Sequence, residues 1–409
     1  MKTEKSKNLV VIIGNGFDLA HDLKTSYNDF ANYYLNEVIF NELIKLNSKE
    51  ETSIIKKDFI AKYNKSKPAK FGFLSSPELS DNIKINLIIS YIMKNDVELL
   101  KDSLDLKNSP PLKKLIYNSF LCNLYNNKYE NWFDIEQAYY DELLNVFHDK
   151  DDYVKVHGES KTERIDILNQ NLEEIKHELN DYLNNVIKPF EDKNVYYSFS
   201  QHFKERKNIS FINFNYTDTV TKYFRLKNDS DLLKYSLNIK NIHVHNSLND
   251  NIIFGYGDDT DEEYQKIKMA KNDEFLRNFK TFNYLKSKNY RRVLNELTSF
   301  KDGYDVLVIG HSLGLTDKTI LKQILDNTSC QNIELLKRSD LKTEEGKEES
   351  HFKLYANLSR IFSLEGALRE KVIPFEWSVN FPKMVNGHTS KIHEREKELY
   401  KEPPTVMLF

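Results

Sequence analysis

Four short motifs in this chain combine glycines, amides and histidines in patterns that could handle a nucleotide: Gly14-Asn15-Gly16-Phe17-Asp18, Asn213-Phe214-Asn215-Tyr216-Thr217-Asp218, His243-Val244-His245 and Gly310-His311-Ser312-Leu313-Gly314. Glycines after a strand let the backbone turn tightly and approach a phosphate, whose charge is favoured at a helix start. Leu19 stands where the dinucleotide fingerprint has its third glycine, so a plain tight turn is the competing reading. Strand alternation puts Asn213 and Asn215 on one side, where an amide can bond ribose hydroxyls or orient a water. The bland alternative is a turn completed by the asparagines, with Thr217 or Asp218 capping the next helix. His243 and His245, two apart, could both face one side. No further ligand stands at metal spacing, so no metal is expected. His243 reads as a structural histidine and His245 as a general base.

Gly310-His311-Ser312-Leu313-Gly314 also matches G-x-S-x-G, the elbow of a serine hydrolase. An elbow needs its helix directly behind the serine. Here Thr316 or Asp317 reads as the cap of a helix over Lys318–Leu325, and none of Asp326, Asp340, His351, His388 or His393 is singled out as a triad partner. Ser312 is read instead as a ligand-binding hydroxyl, beside a Gly310 that permits close approach. Trp132-Phe133-Asp134-Ile135-Glu136 opens a helix, with both acids in its first turn facing the dipole and Glu136 able to reach the pocket. Glu345-Gly346-Lys347 lacks the Ser/Thr and second glycine of a phosphate loop, and His393-Glu394 lacks the second histidine of a zinc protease.

The elements that must position these motifs are short apolar runs: Leu9–Ile13, Ile209–Phe214, Asn241–Val244 and Val306–Ile309. Ligands of open α/β sheets sit beyond the carboxyl ends of the strands, so four polar strand ends point to one site. Between them the chain reads as helix. Ser26 and Asp29 have capping-box spacing ahead of Tyr33, Leu35, Ile39 and Leu43, followed by an apolar run at Ile83–Met93 and by helical periodicity over Asn131–His148 and Thr162–Lys188, before Pro189. Thr217–Phe224 reads as a short helix and Glu262–Ser299 as two. The expected fold is therefore α/β, a mostly parallel sheet with a large all-helical insertion after the first strand. Residues 1–30 and 207–409 form the core and 31–206 the insertion.

The 409 residues suffice for a sizeable core, with 40% hydrophobic and 12% aromatic residues and a formal net charge of -3. That charge gives no indication of a nucleic-acid or membrane partner. Two cysteines, Cys122 and Cys330, exclude a disulfide framework and read as core thiols of a reducing cytosol. No apolar run approaches the ~20 residues of a membrane span, and the opening run ends in Gly-Asn-Gly, unlike a signal peptide. A cytoplasmic protein is expected.

Taken together and in order, IIGNGFDLAHDLKTSYNDF, WFDIE, FNYTDT, HVH and VIGHSLGLTDKTIL resemble the AbiH family of bacterial abortive-infection proteins, which act against phages. Asn246 follows His245 where a glycine is expected. More distantly the motifs look like a sirtuin-like, Rossmann-like NAD-consuming domain. That likeness implies phosphate binding at Gly14 and Gly16, ribose contact by Asn215, His245 as base, and the adenosine half near Gly310 and Ser312. Thr217 stands where that pattern has an aspartate, with Asp218 one place later.

The resulting expectation is a defence effector that binds NAD as substrate and hydrolyses its nicotinamide-ribose bond through an oxocarbenium-like state. Asn215 and His245 are its expected catalytic residues; Gly14, Asn15, Gly16, Phe17, Asp18, Asn213, Asp218, Gly310, His311 and Ser312 line the nucleotide. Self-assembly, a defence partner or a phage trigger would gate the activity. The alternatives are a non-catalytic nucleotide sensor acting through a partner, and a serine hydrolase using Ser312.

Overall fold

The computed structural model describes residues 6–34, 37–38, 120, 132–150, 160–187, 203, 206–221, 238–338 and 341–381. They belong to two compact units. One comprises Met1–Thr25, Leu183–Lys271 and Asn278–Phe409, the other Ser26–Tyr182 and Asn272–Arg277.

The first unit is built on five parallel strands: β1 (Asn8–Ile13), β2 (Asn208–Asn213), β3 (Asn238–His243), β4 (Tyr304–Ile309) and β5 (Cys330–Leu335), ordered β3-β2-β1-β4-β5. Parallel sheets are covered on both faces and therefore read as continuous apolar runs at their centre. β1 and β4 are buried at every position. Along β1, alternation sends Val10 and Ile12 into a core shared with Ile212, Ile242, Val306, Val308 and the helices behind them, while Leu9, Val11 and Ile13 join Ile209, Phe211, Leu307 and Ile309 on the opposite face. The register sets Ile13 beside Asn213 and Ile309, and Asn213 beside His243. All four motifs consequently leave the sheet at the same level. The order reverses between β1 and β4, which places the crevice of an open sheet at their carboxyl ends.

The edges were less legible. β3 begins three residues before the expected run, and β5 had no counterpart among the expected strands. Both are edge strands whose exposed and half-buried positions carry Asn, Lys, Gln and Glu, so the continuous apolar signal of the centre is missing. Two further two-residue strands, β6 (Lys337–Arg338) and β7 (Asn380–Phe381), pair separately.

Helices follow the strands. α1 (Asn15–Ala20) starts at the first motif. Where two helices were expected over Glu262–Ser299, there are three, α5 (Glu262–Met269), α6 (Lys280–Lys286) and α7 (Lys288–Ser299), and the chain between α5 and α6 carries a 3₁₀ turn, Asp273–Leu276, that belongs to the second unit. Asp261, Asn272 and Ser287 each accept a backbone N–H, and these local caps divide the run. α8 (Lys318–Leu325), α9 (Glu344–Ile361) and α10 (Glu365–Lys371) complete this unit.

In the second unit, α2 (Tyr27–Tyr33) opens on the expected capping box, Ser26 and Asp29 each bonding the other's backbone N–H. α3 (Trp132–Phe147) buries Ile135, Tyr139, Leu143 and Val146; α4 (Lys161–Asn185) buries Ile165, Leu168, Leu172, Ile175 and Leu179. These three- and four-residue steps form one apolar stripe per helix. The Tyr139 hydroxyl donates to Asn169 at 2.7 Å, which donates to the Glu274 carbonyl at 2.9 Å. Asp134 lies in the first turn of α3, whereas Glu136 falls beyond it and is buried. The described residues between β1 and β2 that lie in regular structure are helical. Leu35, Ile39, Leu43, Ile83–Met93, Cys122 and Pro189 lie outside the described residues. No helix among the described residues is long and apolar enough to cross a membrane.

Candidate functional site

The glycine loops after β1 and β4 are pressed against each other. Gly14 N–H donates to the Ile309 carbonyl at 3.0 Å and Gly16 N–H to the Gly310 carbonyl at 2.8 Å, while Phe17 N–H donates back to Gly14. A Cβ on Gly14 would lie 2.6 Å from the His311 Cα, one on Gly16 2.7 Å from the Gly310 Cα, and one on Gly310 2.3 Å from the Phe17 nitrogen. Gly310 also has φ +64, a left-handed conformation that side chains resist. All three glycines are thus required by loop-to-loop contact, and the three amides already have acceptors. Asn15 sits at the first position of α1, with its Oδ1 accepting from the Thr25 hydroxyl at 2.6 Å. Phe17 is fully buried and stacks on Phe381.

The second motif turns toward the first. Asn213 Oδ1 accepts the Asn215 N–H at 2.9 Å, completing a turn, and Asn215 Nδ2 donates to the Gly14 carbonyl at 3.0 Å. Asn215 Oδ1 takes no hydrogen bond among the described residues. Thr217–Val220 are bends and turns rather than the expected start of a helix; helix appears at Thr221, and the residues after it lie outside those described. The side chains of both proposed caps reach toward other motifs: the Thr217 hydroxyl donates to Asp18 Oδ2 at 2.5 Å, and Asp218 Oδ1 lies 3.0 Å from His243 Nε2. For Thr217 the reason is Asp18. Its carboxyl is buried, with Oδ1 lacking a hydrogen bond, so a nearby hydroxyl is worth more to it than to a solvated helix end. Burial raises the Asp18 carboxyl to about 6, against the lowering effects of Thr217, Thr219, Asn215 and His243.

The two histidines of the third motif part company. β3 ends at His243, whose Nδ1 donates to the Asn215 carbonyl at 2.8 Å, a structural bond. His245 lies in the turn beyond, buried, with Nε2 3.0 Å from Asp317 Oδ1 and 3.3 Å from the Tyr284 hydroxyl. Its Nδ1 makes no hydrogen bond among the described residues. Asp317 also receives the ammonium of Lys280, wholly buried, at 2.7 Å, and its other oxygen lies 3.5 Å from His311 Nε2. His311 Nδ1 accepts the Leu313 N–H at 2.9 Å. Burial alone would raise the Asp317 carboxyl, but Lys280, then His245 and the bonds from both histidines, hold it well below the usual carboxylate range. Burial and then Lys280 push the His245 imidazole below its ordinary value, with Asp317 opposing and His311 reinforcing.

Asp317 stands at the N-cap position of α8 as expected, yet its side chain makes no capping bond. An ion pair with a buried ammonium outcompetes a backbone N–H. Ser312 is exposed, with its carbonyl accepting from Asn357, and α8 begins six residues later. That is not the strand-turn-helix geometry of a nucleophile elbow. Asn246 adopts φ 64, which explains a residue in place of the expected glycine: asparagine tolerates that region, and here its Oδ1 accepts from Ser287 and Asn289. No group of three or more His, Cys, Asp or Glu among the described residues could hold a metal ion.

Lys280, Tyr284 and Asp317 are the site residues that sequence reasoning missed. Asp317, five residues beyond Ser312, had a signal, an acid three residues after the last motif that reads as a cap. Lys280 had none, since it is one of several lysines near the starts and ends of α6 and α7.

The family model described as bacteriophage abortive infection AbiH matches residues 10–337. That span covers most of the 409 residues, so the chain belongs to the AbiH family, and its role is in abortive infection by phage. No curated protein matches the chain.

Proposed function

We propose that this AbiH-family chain binds NAD at the carboxyl edge of its sheet and hydrolyses the nicotinamide-ribose bond, depleting a central cofactor of the infected cell. The observation that carries the reading is His245, a buried imidazole beyond a strand end, anchored through Nε2 and with Nδ1 unengaged by the described residues. The strand order, with its crevice beyond β1 and β4, supports a nucleotide at this edge. Water attacks the anomeric carbon as nicotinamide departs with the electron pair of the glycosidic bond, which neutralises its ring nitrogen. His245 takes the proton of that water. Asn215, held by Gly14 through Nδ2, offers Oδ1 to a ribose hydroxyl or to the water. Assembly, a defence partner or a phage signal gates the activity, because an ungated one would stop the uninfected host.

Purified protein incubated with NAD, alone and with lysate of infected cells, is expected to release nicotinamide and ADP-ribose in at least the second case. Asn215→Ala lowers that rate by on the order of 10²-fold, the effect of losing one preorganised polar group. Binding of NAD without release under any activation would leave a nucleotide sensor in place of an enzyme.

A further inference from the structure

We propose that Lys280 and Asp317 are positioning residues that hold His245 as a neutral imidazole with its proton on Nε2 and its basic Nδ1 turned to the reacting molecule. Lys280, by opposing the pull of Asp317 on a proton at His245, thereby sets the acid edge of the working pH range. The proposal rests on the reading of His245 as the base, and it adds two residues that no motif assigned.

The geometry fixes the protons. Asp317 Oδ1 lies 2.7 Å from Lys280 Nζ and 3.0 Å from His245 Nε2, and its Oδ2 lies 3.5 Å from His311 Nε2. Because His311 Nδ1 accepts the Leu313 N–H, the proton of that ring is on Nε2, toward Asp317. A carboxylate that accepts from Lys280 and His311 also favours a donor at His245 Nε2, which leaves Nδ1 of His245 as the lone-pair nitrogen. The residues come from four separate places: the turn after β3, the start of α6, the turn after β4 and the start of α8. No local structural need, such as a cap, accounts for their convergence.

The charges fix the protonation state. The described groups facing His245 include Asp317, Lys280, the Tyr284 hydroxyl and His311, together with the rings of Phe214 at 5.3 Å and Tyr216 at 6.4 Å. Burial and the neighbouring ammonium of Lys280 both disfavour a proton on His245, and Asp317 opposes them. In the serine-protease arrangement, by contrast, an unbalanced carboxylate stabilises the imidazolium that forms. Here Lys280 offsets that support and keeps the imidazole neutral and ready to accept.

The test uses full-length protein labelled with ¹⁵N-histidine, with His245 assigned by comparison with His245→Gln. Two-bond ¹⁵N–¹H spectra of the wild type are expected to show the His245 proton on Nε2. Lys280→Met, which keeps the chain and removes the charge, exposes His245 to an unbalanced carboxylate; its titration midpoint should rise by about one pH unit or more, and the acid limb of NAD hydrolysis should rise with it. Lys280→Met/Asp317→Asn also removes the carboxylate that favours a proton on His245, and its midpoint should fall below that of Lys280→Met. A proton on Nδ1, or a midpoint that stays or falls in Lys280→Met, overturns the proposal. If Lys280→Met does not fold, the tautomer measurement, which needs no variant, still decides: a proton on Nδ1 overturns the proposal. Absence of NAD release with the expected tautomer and shift would instead overturn the assigned reaction and leave the positioned base standing.

Discussion

Asp18 shows how one side chain can be placed at a cost to the fold. Its carboxyl is buried beside two threonines and is raised to about 6, burial being the largest cause. A folded value above the unfolded one means that the folded state binds the proton more tightly. The associated stability is fully present below the unfolded value of 3.8 and is lost as pH rises through about 6. The full difference is worth about 3 kcal/mol. Asp18→Asn removes the ionisation while keeping an acceptor for Thr217, so its melting temperature should exceed that of the wild type at pH 8 and approach it near pH 4. Thermal melts across that range check it; a variant less stable than the wild type at pH 8 would show that the ionised carboxylate is supported by groups other than those described.

At the scale of elements, the glycine loops after β1 and β4 behave as one unit. Gly310→Ala forces a Cβ to 2.3 Å from the Phe17 nitrogen at φ +64, so it should destabilise by at least ~2 kcal/mol. Gly366, inside α10 and with nothing within 4 Å of its added Cβ, is the control: Gly366→Ala should be neutral or stabilise by up to about 1 kcal/mol. Urea midpoints of the two variants measure the contrast. If Gly310→Ala unfolds at the wild-type midpoint, the loops are not packed as described. The same scale explains why asparagine works at 246, where the left-handed turn was legible as an expected glycine and the side-chain bonds to α7 and its cap were not.

For the whole molecule, membership of the AbiH family supplies the setting, and the sheet supplies one edge at which four distant motifs meet. If His245 is the base of the defensive reaction, cells carrying His245→Ala should lose protection in a phage plating assay while the variant accumulates to wild-type levels. Retained protection would move the chemistry elsewhere in the chain.

The sequence by itself determined the central strands, because β1 and β4 are buried on both faces and run apolar from Leu9 to Ile13 and from Val306 to Ile309. It also determined the helices with a clear stripe, the capping box at Ser26 and the family. The edge strands escaped it because a half-exposed strand carries polar residues that read as loop. The site was legible as a set of strand ends and not as a set of contacts. His245, Asn215 and Asp18 were visible as residue types at those ends, but the partners that give them their states were not. Lys280 is one lysine among many until tertiary folding excludes water around it, and Asp317 looks like a cap until a buried ammonium competes for its carboxylate. Hydrogen-bond geometry and charge balance between segments distant in sequence leave no local pattern, so only the tertiary structure decided them.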